Sequence, residues 1–448
     1  MGESKADTTK KLTLFSLTWP IFIEILLHML MGNADTLMLS QYSDDAVAAV
    51  GVSNQILSVV IVMFGFVATG AGILVAQNLG ANRDEQAGTI AMSSLSLNLL
   101  FSLVMSIGLV LFSQQILNIM DLPNELMSES GLYLNIVGGF MFVQALIMTA
   151  GQILRNYGFT KDAMYVTIGM NILNVIGNYL FIFGPMGFPS LGVQGVAIST
   201  AGSRTLGLFA LVILLVRRKE VVLPLQAFFR YQKEHIRNLL QIGVPSAGEQ
   251  LSYNASQMAI TYFIAQMGTT AITTKVYAQN IMMFIFLAAI AIAQGTQILI
   301  GHYMGADKIE SAFSRCLRST KIAIIISVSM ALVVYAGSDF LLGLFTNNVS
   351  IIEQGSVLLL MTVLLEPGRA TNLVVIHSLR GAGDVKFPVI VGILSMWGIS
   401  VTFAWFFGLF LGLGLVGIWI GFIADEWLRG LIMINRWRGK KWTDKRFV

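Results

Sequence analysis

One carboxylate stands near the end of a long apolar stretch and has ionisable neighbours at helical spacing. Asp35 lies within Met31-Gly32-Asn33-Ala34-Asp35-Thr36, and Glu24 and His28 precede it by eleven and seven residues. These positions fall roughly on one face of a helix. An ionisable side chain in hydrocarbon costs at least ~2.5–3.5 kcal/mol on insertion scales, so it marks a functional position. The cluster predicts a site that carries protons or binds a cation, and the alternative is that Asp35 lies at a water-exposed rim.

Three amide side chains form a second polar stripe. Asn171, Asn174 and Asn178 stand at i, i+3 and i+7 in an otherwise apolar stretch. Amides can hydrogen-bond a carboxylate or bind a cation through oxygen. The alternative is that they join helices within the membrane, as polar residues often do. Because three amides share one face in the same half as Asp35, we predict a cation-coupling site formed by Asp35, Asn171, Asn174 and Asn178.

The elements that position these residues are predicted to be membrane-spanning helices. The 448-residue chain is 55% hydrophobic and 12% charged, whereas a soluble protein has roughly 25% charged residues. About 20 apolar residues cross a bilayer as a helix. The pattern predicts twelve spans, over 13–38, 51–77, 92–114, 131–154, 163–184, 191–216, 239–266, 277–302, 319–343, 351–378, 387–410 and 412–435.

Charge in the connections predicts the orientation of these spans. Basic residues collect on the side of the two termini, and they include Lys5, Lys10, Lys11, Arg83, Arg155, Lys161, Arg217, Arg218, Lys219, Arg230, Lys308, Arg380 and Lys386. The opposite connections contain Asp44, Asp45, Asp121, Glu125 and Glu129, with Lys275 as the one clear cation. The positive-inside rule then predicts a multi-pass protein of the inner or plasma membrane with both termini in the cytoplasm. No basic stretch is long enough to form a nucleic-acid surface, so the lipid bilayer is the expected partner.

The two halves of the sequence match at an offset of 225 residues, which drops to 222 near the end. The matches include Pro20 and Pro245, Glu24 and Glu249, Gln41 and Gln266, Gly80 and Gly305, Arg155 and Arg380, and Gly192 and Gly414. Six spans per half give both repeats the same orientation, so a pseudo-twofold axis along the membrane normal should relate them. We predict an all-α, V-shaped protein with a lobe over 1–216, a cytoplasmic linker over 217–238, and a lobe over 239–448 that ends in a basic tail.

The repeat also acts as an internal control on the polar residues. Asp35 corresponds to Ile260, and the three asparagines correspond to Met396, Ile399 and Phe403. A requirement of the fold alone would be expected in both halves, so this asymmetry favours a functional role in the first half. Glu24 and Glu249 are symmetric, and a larger structural share is expected for them.

Further residues are candidates for lining a substrate cavity. Flexible methionines suit promiscuous apolar cavities, although most methionines pack in cores or face lipid. The predicted cavity residues are Asp35, Met31, His28, Glu24, Glu249, Tyr253, Met258 and Met282. Glu366 and Arg369 lie one turn apart and either pair with each other or line a second-lobe cavity. Arg204 aligns with Glu426, and the sequence leaves the role of both open.

The sequence lacks the motifs of the enzyme classes considered. It contains no Gly-x-x-x-x-Gly-Lys-Ser/Thr, no His-Glu-x-x-His and no Gly-x-Ser-x-Gly. ATP-driven pumping, zinc-dependent proteolysis and hydrolase chemistry of these types are therefore not expected. We expect no enzymatic activity, no cofactor and no resident metal.

At several positions the chain resembles the multidrug and toxic compound extrusion (MATE) family. The resemblance covers nearly the whole length and is carried by Trp19-Pro20, Asp35-Thr36, Gly80-Ala81, Leu154-Arg155-x-x-Gly158, Leu379-Arg380-Gly381 and Gly192-Val193-x-Gly195. It implies a secondary exporter with two six-helix lobes, which exchanges amphipathic and often cationic compounds for protons or sodium. It also implies that Asp35 is the first-lobe coupling carboxylate and that Asn174 and Asn178 belong to the same site.

Departures from the family pattern refine this expectation. Many members have Asp where Asn178 stands, and some branches have an acidic pair in the second lobe. Here Ala370 stands at one of those positions, and Glu249 lies about one turn from the other. The resemblance therefore suggests the DinF-type branch and a proton antiporter that uses the first lobe. We expect the protein to be a monomer. The alternatives are a sodium-coupled drug antiporter and a flippase for lipid-linked precursors with the same fold.

Overall fold

The computed structural model describes residues 12–120, 122–187, 189–229 and 233–448. The predictions that involve Lys5, Lys10, Lys11, Asp121 and Arg230 lie outside these ranges. Within the described ranges the regular secondary structure is helical, as predicted. The all-α fold class is thereby confirmed.

Seven α-helices lie among the described residues of the first half of the chain. They are α1 (Leu14–Ser40), α2 (Asp44–Gly80), α3 (Asp84–Ile119), α4 (Asn124–Gly139), α5 (Met141–Asn156), α6 (Thr160–Phe183) and α7 (Gly192–Arg217). The span predicted over 131–154 is a pair of helices, because α4 and α5 meet at a bend of 43°. Gly138 and Gly139 immediately precede the bend, and glycine disfavours a continuous helix.

Seven more helices cover the second half. They are α8 (Lys233–Ala265), α9 (Thr269–Gly305), α10 (Ile309–Ala336), α11 (Ser338–Gly343), α12 (Val349–Ala382), α13 (Lys386–Phe410) and α14 (Gly414–Arg438). The wider π-type of helix occurs in α13, over Met396–Val401 and Ala404–Phe410. Every predicted span overlaps one of these helices or a pair of them.

Length and composition identify most of these helices as membrane spans. In the described part of the chain nine helices are each long and apolar enough to cross a membrane. The bent pair α4 and α5, counted as one span, makes ten. The remaining spans of the predicted twelve correspond to α8 and α14, which are more polar. The prediction that Lys275 is a cation of an outer loop is wrong, because Lys275 lies within α9 and is 7% exposed.

The described helices form two compact units. One comprises the residues up to Phe22 together with Val244–Val448, and the other comprises Ile23–Gly243. The chain therefore passes between the units inside α1 and again inside α8, close to Pro20 and Pro245. We call Ile23–Gly243 the first unit and the remainder the second unit. The domain limits drawn from the repeat, at 216/217 and 238/239, stay a prediction.

Close helix packing is repeated in both units. In the first unit, a Cβ atom on Gly195 of α7 would lie 2.5 Å from Cβ of Phe181 in α6. In the second unit, a Cβ atom on Gly417 of α14 would lie 2.4 Å from the backbone of Phe407 in α13. These two glycines are 222 residues apart, as in the sequence repeat. They let α7 and α14 approach their neighbours closely, which brings the polar face of α7 beside α6.

Candidate functional site

Asp35 and Asn178 form the central contact of the candidate site. Asn178 Nδ2 donates a hydrogen bond to Asp35 Oδ1 at 2.5 Å, which joins α1 to α6. Asp35 is 8% exposed and Asn178 is fully buried. The structure thus brings together two of the residues that the sequence singled out. The other amide atom, Asn178 Oδ1, is buried without a hydrogen-bond partner.

Asn174 continues the polar stripe one turn further along α6. Its Nδ2 donates to Thr200 Oγ1 of α7 at 3.2 Å, and its Oδ1 accepts from Asn178 Nδ2 at 3.5 Å. Tyr133 of α4 is also buried, and its hydroxyl donates to Asn54 Oδ1 at 3.4 Å. No spacing pattern in the sequence points to Thr200 or Tyr133. Their contribution depends on how α4 and α7 pack, which spacing along one helix does not reveal.

Close contacts set the antiparallel register of α6 and α7. Asn174 lies opposite Thr200, as its hydrogen bond shows. Further along, Met170 lies against Gly207, where an added Cβ atom would come within 2.0 Å of the methionine sulfur. Residues of α6 and α7 between these two contacts must therefore lie at the same level.

Asn171 and Arg204 are among the residues at that level. Asn171 is 9% exposed, and both its Oδ1 and its Nδ2 are buried without a hydrogen-bond partner. Arg204 follows Thr200 by one helical turn and so lies on the same face of α7. Its positive charge acts on Asp35, Tyr133 and His28. The alignment of Arg204 with Glu426 gave no indication of this position at the level of Asn171.

His28 and Met31 lie on α1 between Asp35 and the next polar contact. His28 is exposed and Met31 is partly exposed. One turn beyond His28, Glu24 is buried and accepts a hydrogen bond from Arg155 Nη1 at 2.7 Å. Arg155 also donates to Gln152 Oε1. The first unit thus contains a column of polar side chains that runs from Asp35 to Glu24.

The symmetric glutamate of the second unit makes the corresponding contact. Arg380 donates from Nη2 to Glu249 Oε2, and Glu249 is 9% exposed. Both predicted cavity glutamates are therefore held by arginines at repeat-equivalent positions. This arrangement leaves each carboxylate less free to bind a ligand than Asp35, which has an amide as its hydrogen-bond partner.

The second unit has its own charged network, between α12 and α14. Glu366 accepts from Arg369 Nη1 at 2.8 Å, which is the pairing that their spacing predicted. Arg429 contacts Asp425 Oδ2 at 2.6 Å and Glu426 Oε1 at 3.4 Å. Arg369 and Glu426 are 3.8 Å apart, which connects the charged groups of the two helices. Asn372 donates a hydrogen bond to Glu426, and Ser395 of α13 donates one to Asp425. The charges of the network are thus largely satisfied internally.

A cavity of the second unit adjoins this network. Two of the predicted cavity residues, Tyr253 and Met282, line it together with Arg369, Trp419, Asp425 and Arg429. Met258 does not line it and is 73% exposed. The two units therefore differ in chemistry. The first has a carboxylate with an amide partner, and the second has interlocked ion pairs.

Comparison with known proteins accounts for the repeat and the fold. The profile of the MatE family matches residues 20–180 and again residues 245–406, so it matches once in each half. The chain belongs to the MatE family. Members of this family are transporters rather than enzymes, and the apolar helices agree with a multi-pass membrane protein. Assignment to the DinF-type branch stays a prediction.

Relatives align over nearly the whole chain. The uncharacterized transporter YisQ of Bacillus subtilis (strain 168) is 53% identical over 441 residues, which cover 98% of this chain and 97% of YisQ. A probable multidrug resistance protein NorM of Thermotoga maritima is 28% identical, with 97% and 93% covered. A MATE crystal structure in the bent conformation matches with a TM-score of 0.88 at 22% identity, covering 95% of this chain and 94% of its own. This match confirms the MATE fold.

Proposed function

We propose that this chain exports amphipathic organic cations in exchange for protons, with Asp35 binding the proton and the substrate in turn. The observation that carries the proposal is the buried Asp35 carboxylate, whose hydrogen-bond partner is the neutral amide of Asn178. A buried carboxylate without a bound counter-charge is unfavourable, so either a proton or a cationic ligand should occupy it. The NorM relatives, named as probable multidrug resistance proteins, support organic compounds as substrates.

The Asn178 amide suits both states of Asp35. Its Nδ2 donates to the charged carboxylate, and its Oδ1 is available because it has no partner. When Asp35 takes a proton from the outside, rotation of the amide would let Oδ1 accept from the new O–H group. The substrate then loses its counter-charge and dissociates. Release of the proton on the cytoplasmic side restores the carboxylate for the next substrate.

Coupling requires that proton and substrate favour different conformations. A ligand shifts a conformational equilibrium only through its differential affinity for the two states. α1 can make this connection because it contains both Asp35 and Pro20, and a proline within a helix removes a backbone hydrogen bond and allows a bend. We infer from the basic connections that both termini are cytoplasmic, so that export runs away from them.

Features of the second unit favour the first unit as the coupling site. Ala370 is fully buried and apolar at the position where some branches have an acidic residue. Glu249 is engaged by Arg380, and its counterpart Glu24 is engaged by Arg155. Asp35 is thus the carboxylate of the predicted site that has no arginine hydrogen-bonded to it. Sodium coupling, which the resemblance leaves open, is an outcome of the test below.

The test is efflux of a fluorescent cationic dye from vesicles that contain the purified protein. Proton and sodium gradients are imposed separately on wild type, Asp35→Asn and Asp45→Asn. Asp45 is an exposed carboxylate in the first turn of α2, so its variant controls for the loss of one charge. We expect proton-driven efflux in wild type and Asp45→Asn and its loss in Asp35→Asn.

Other results would replace the proposal. Efflux driven by sodium alone would keep the family and change the coupling ion. Unchanged proton-driven efflux in Asp35→Asn would remove Asp35 from the mechanism. No efflux under either gradient would favour a flippase, which a transfer assay with a lipid-linked sugar in the same vesicles would then examine.

A further inference from the structure

Arg204 brings a positive charge into the polar column of the first unit without a partner for its donors. In the described part of the chain its guanidinium forms no ion pair and no hydrogen bond, whereas Arg155 and Arg218 of the same unit are both paired. Arginine has five N–H donors in a planar fork that suits carboxylate, sulfonate or phosphate oxygens. An intramembrane arginine of this kind is expected to face a functional site.

Asn171 provides a second, independent indication of a ligand at the same level. It lies opposite Arg204 in the register of α6 and α7, and it is 9% exposed. Neither its donor nor its acceptor has a partner. Buried polar atoms in proteins are almost always hydrogen-bonded. An unpaired amide and an unpaired guanidinium at one level form a set of donors for an anionic group.

The separation between this level and Asp35 follows from α6. Asn178 contacts Asp35, and Asn171 lies seven residues before Asn178 on that helix. A rise of 1.5 Å per residue makes the distance between the two levels about 10 Å. The column thus offers a negative position at Asp35 and a positive position two turns away. In the second unit the positions equivalent to Asp35 and Asn171 are Ile260 and Met396, so this bipolar arrangement is specific to the first unit.

We propose that the first unit recognises zwitterionic amphiphiles, with the cationic group at Asp35 and the anionic group at Arg204 and Asn171. The inference rests on the proposed function in one respect, since the cationic group takes the place of the proton on Asp35. The inference adds zwitterions as a substrate class and Arg204 as a residue that determines specificity. Arg204 discriminates among ligands by pairing with an anion about 10 Å from the ammonium group.

Three fluorescent probes with the same apolar tail test this proposal. The first has a quaternary ammonium group alone. The second, the long zwitterion, also has a sulfonate about 10 Å from the nitrogen, which matches the two-turn spacing. The third, the short zwitterion, has its sulfonate about half as far from the nitrogen. Binding is measured without any gradient on the full-length protein in lipid nanodiscs. The variants are Arg204→Gln, Arg204→Lys and Arg217→Gln, the last of which removes an exposed charge from the same helix.

Wild type and Arg217→Gln should bind the long zwitterion about 10-fold more tightly than the ammonium probe, as expected for one charge-assisted contact. The short zwitterion should gain less. Arg204→Gln should abolish the preference while it binds the ammonium probe at least as well, because a positive charge near Asp35 is removed. Arg204→Lys should retain part of the preference.

Two results would overturn the inference. The first is equal affinity of wild type for the ammonium probe and the long zwitterion. The second is an equal weakening of all three probes in Arg204→Gln, which would indicate a structural role. Retained binding of the ammonium probe shows that a variant is folded. Failure of proton-driven efflux in the Asp35 experiment would refute the proposed function separately, since the binding measurements here involve no gradient.

Discussion

Arg155 donates a hydrogen bond to Glu24 at 2.7 Å, and the two side chains are 131 residues apart in sequence. Arg380 and Glu249 form the same pair in the second unit with the same sequence separation. Arg380 and Glu249 each lie 225 positions after their counterparts, Arg155 and Glu24. Because the units share this pair and differ at Asp35, the pair belongs to the framework that both units require. The contact agrees with the larger structural share predicted for the two glutamates.

Breaking either pair should destabilise the protein to a similar extent. Glu24→Gln and Glu249→Gln each leave a largely buried guanidinium without its carboxylate, which typically costs about 3–5 kcal/mol. Thermal and denaturant unfolding of the purified protein in detergent would measure the loss. Glu353→Gln is the matched control, because Glu353 is exposed. Equal stability of all three variants would show that the pairs do not support the fold.

A similar contact occurs in both units with its acidic and aromatic side chains exchanged, although its arginines, Arg218 and Arg436, are 218 residues apart and so lie off the repeat offset. Arg218 Nε donates to Asp162 at 2.9 Å, and its guanidinium lies 4.5 Å from the centre of the Phe159 ring. Arg436 makes the same two contacts at the same distances, with Asp384 and Phe387. At the offset of 225, position 159 corresponds to 384 and position 162 to 387, so the phenylalanine and the aspartate have changed places.

The exchange predicts that the two side chains can be swapped within the first unit. Asp162→Phe alone should cost about 1 kcal/mol, since Arg218 is 39% exposed and solvent weakens the ion pair. The double variant Phe159→Asp, Asp162→Phe should recover most of that loss, because it reproduces the arrangement around Arg436. Thermal unfolding of the single and double variants measures this coupling. Losses that simply add would contradict the prediction.

Helix spacing predicted much of the fold and part of the candidate site. The apolar stretches predicted a helix or helix pair at each of the twelve places where the structure has one, and the polar faces of α1 and α6 predicted that Asp35 and Asn178 share a site. The bend between α4 and α5 was missed, because the apolar stretch over 131–154 continues through it. The charge pattern predicts Lys275 in an outer connection, whereas in the structure it lies within α9 and donates to Thr261.

The position of Arg204 was beyond what spacing could show. It depends on the register of α6 against α7, which is set by glycine contacts between the helices. Sequence alone gave the repeat alignment with Glu426, and this alignment relates positions in two different units. A pattern within one helix reveals which residues share a face. It does not reveal which residue of the next helix lies at the same level.

The glycine contacts between neighbouring helices of each unit can be tested directly. Gly195→Ala would bring Cβ within 2.5 Å of Phe181, and Gly417→Ala would bring it within 2.4 Å of the Phe407 backbone. Each substitution should lower stability by about 1–3 kcal/mol, because the helices must move apart. Gly202→Ala on α7 is the control, since nothing lies within 4 Å of the added atom. Thermal unfolding that falls for the first two variants and not for the control would agree with this account.

The single carboxylate at the candidate coupling site predicts electroneutral exchange. Asn178 stands beside Asp35 in place of a second acid, so under the proposed function the site should exchange one proton for one monovalent organic cation. The protein then has the same net charge in the proton-loaded and the substrate-loaded states, so a membrane potential should neither drive nor oppose transport. Efflux of a monovalent cationic dye is measured in vesicles under a fixed proton gradient, with potassium and valinomycin used to set the potential.

We expect the same efflux rate at zero potential and at either polarity. A dication with the same apolar body serves as the control, because its exchange for one proton moves net charge and should respond to the potential. A potential-dependent rate for the monovalent dye would show that more than one charge-balancing group takes part. The charged network around Glu366 and Arg429 in the second unit would then be the first place to look for it.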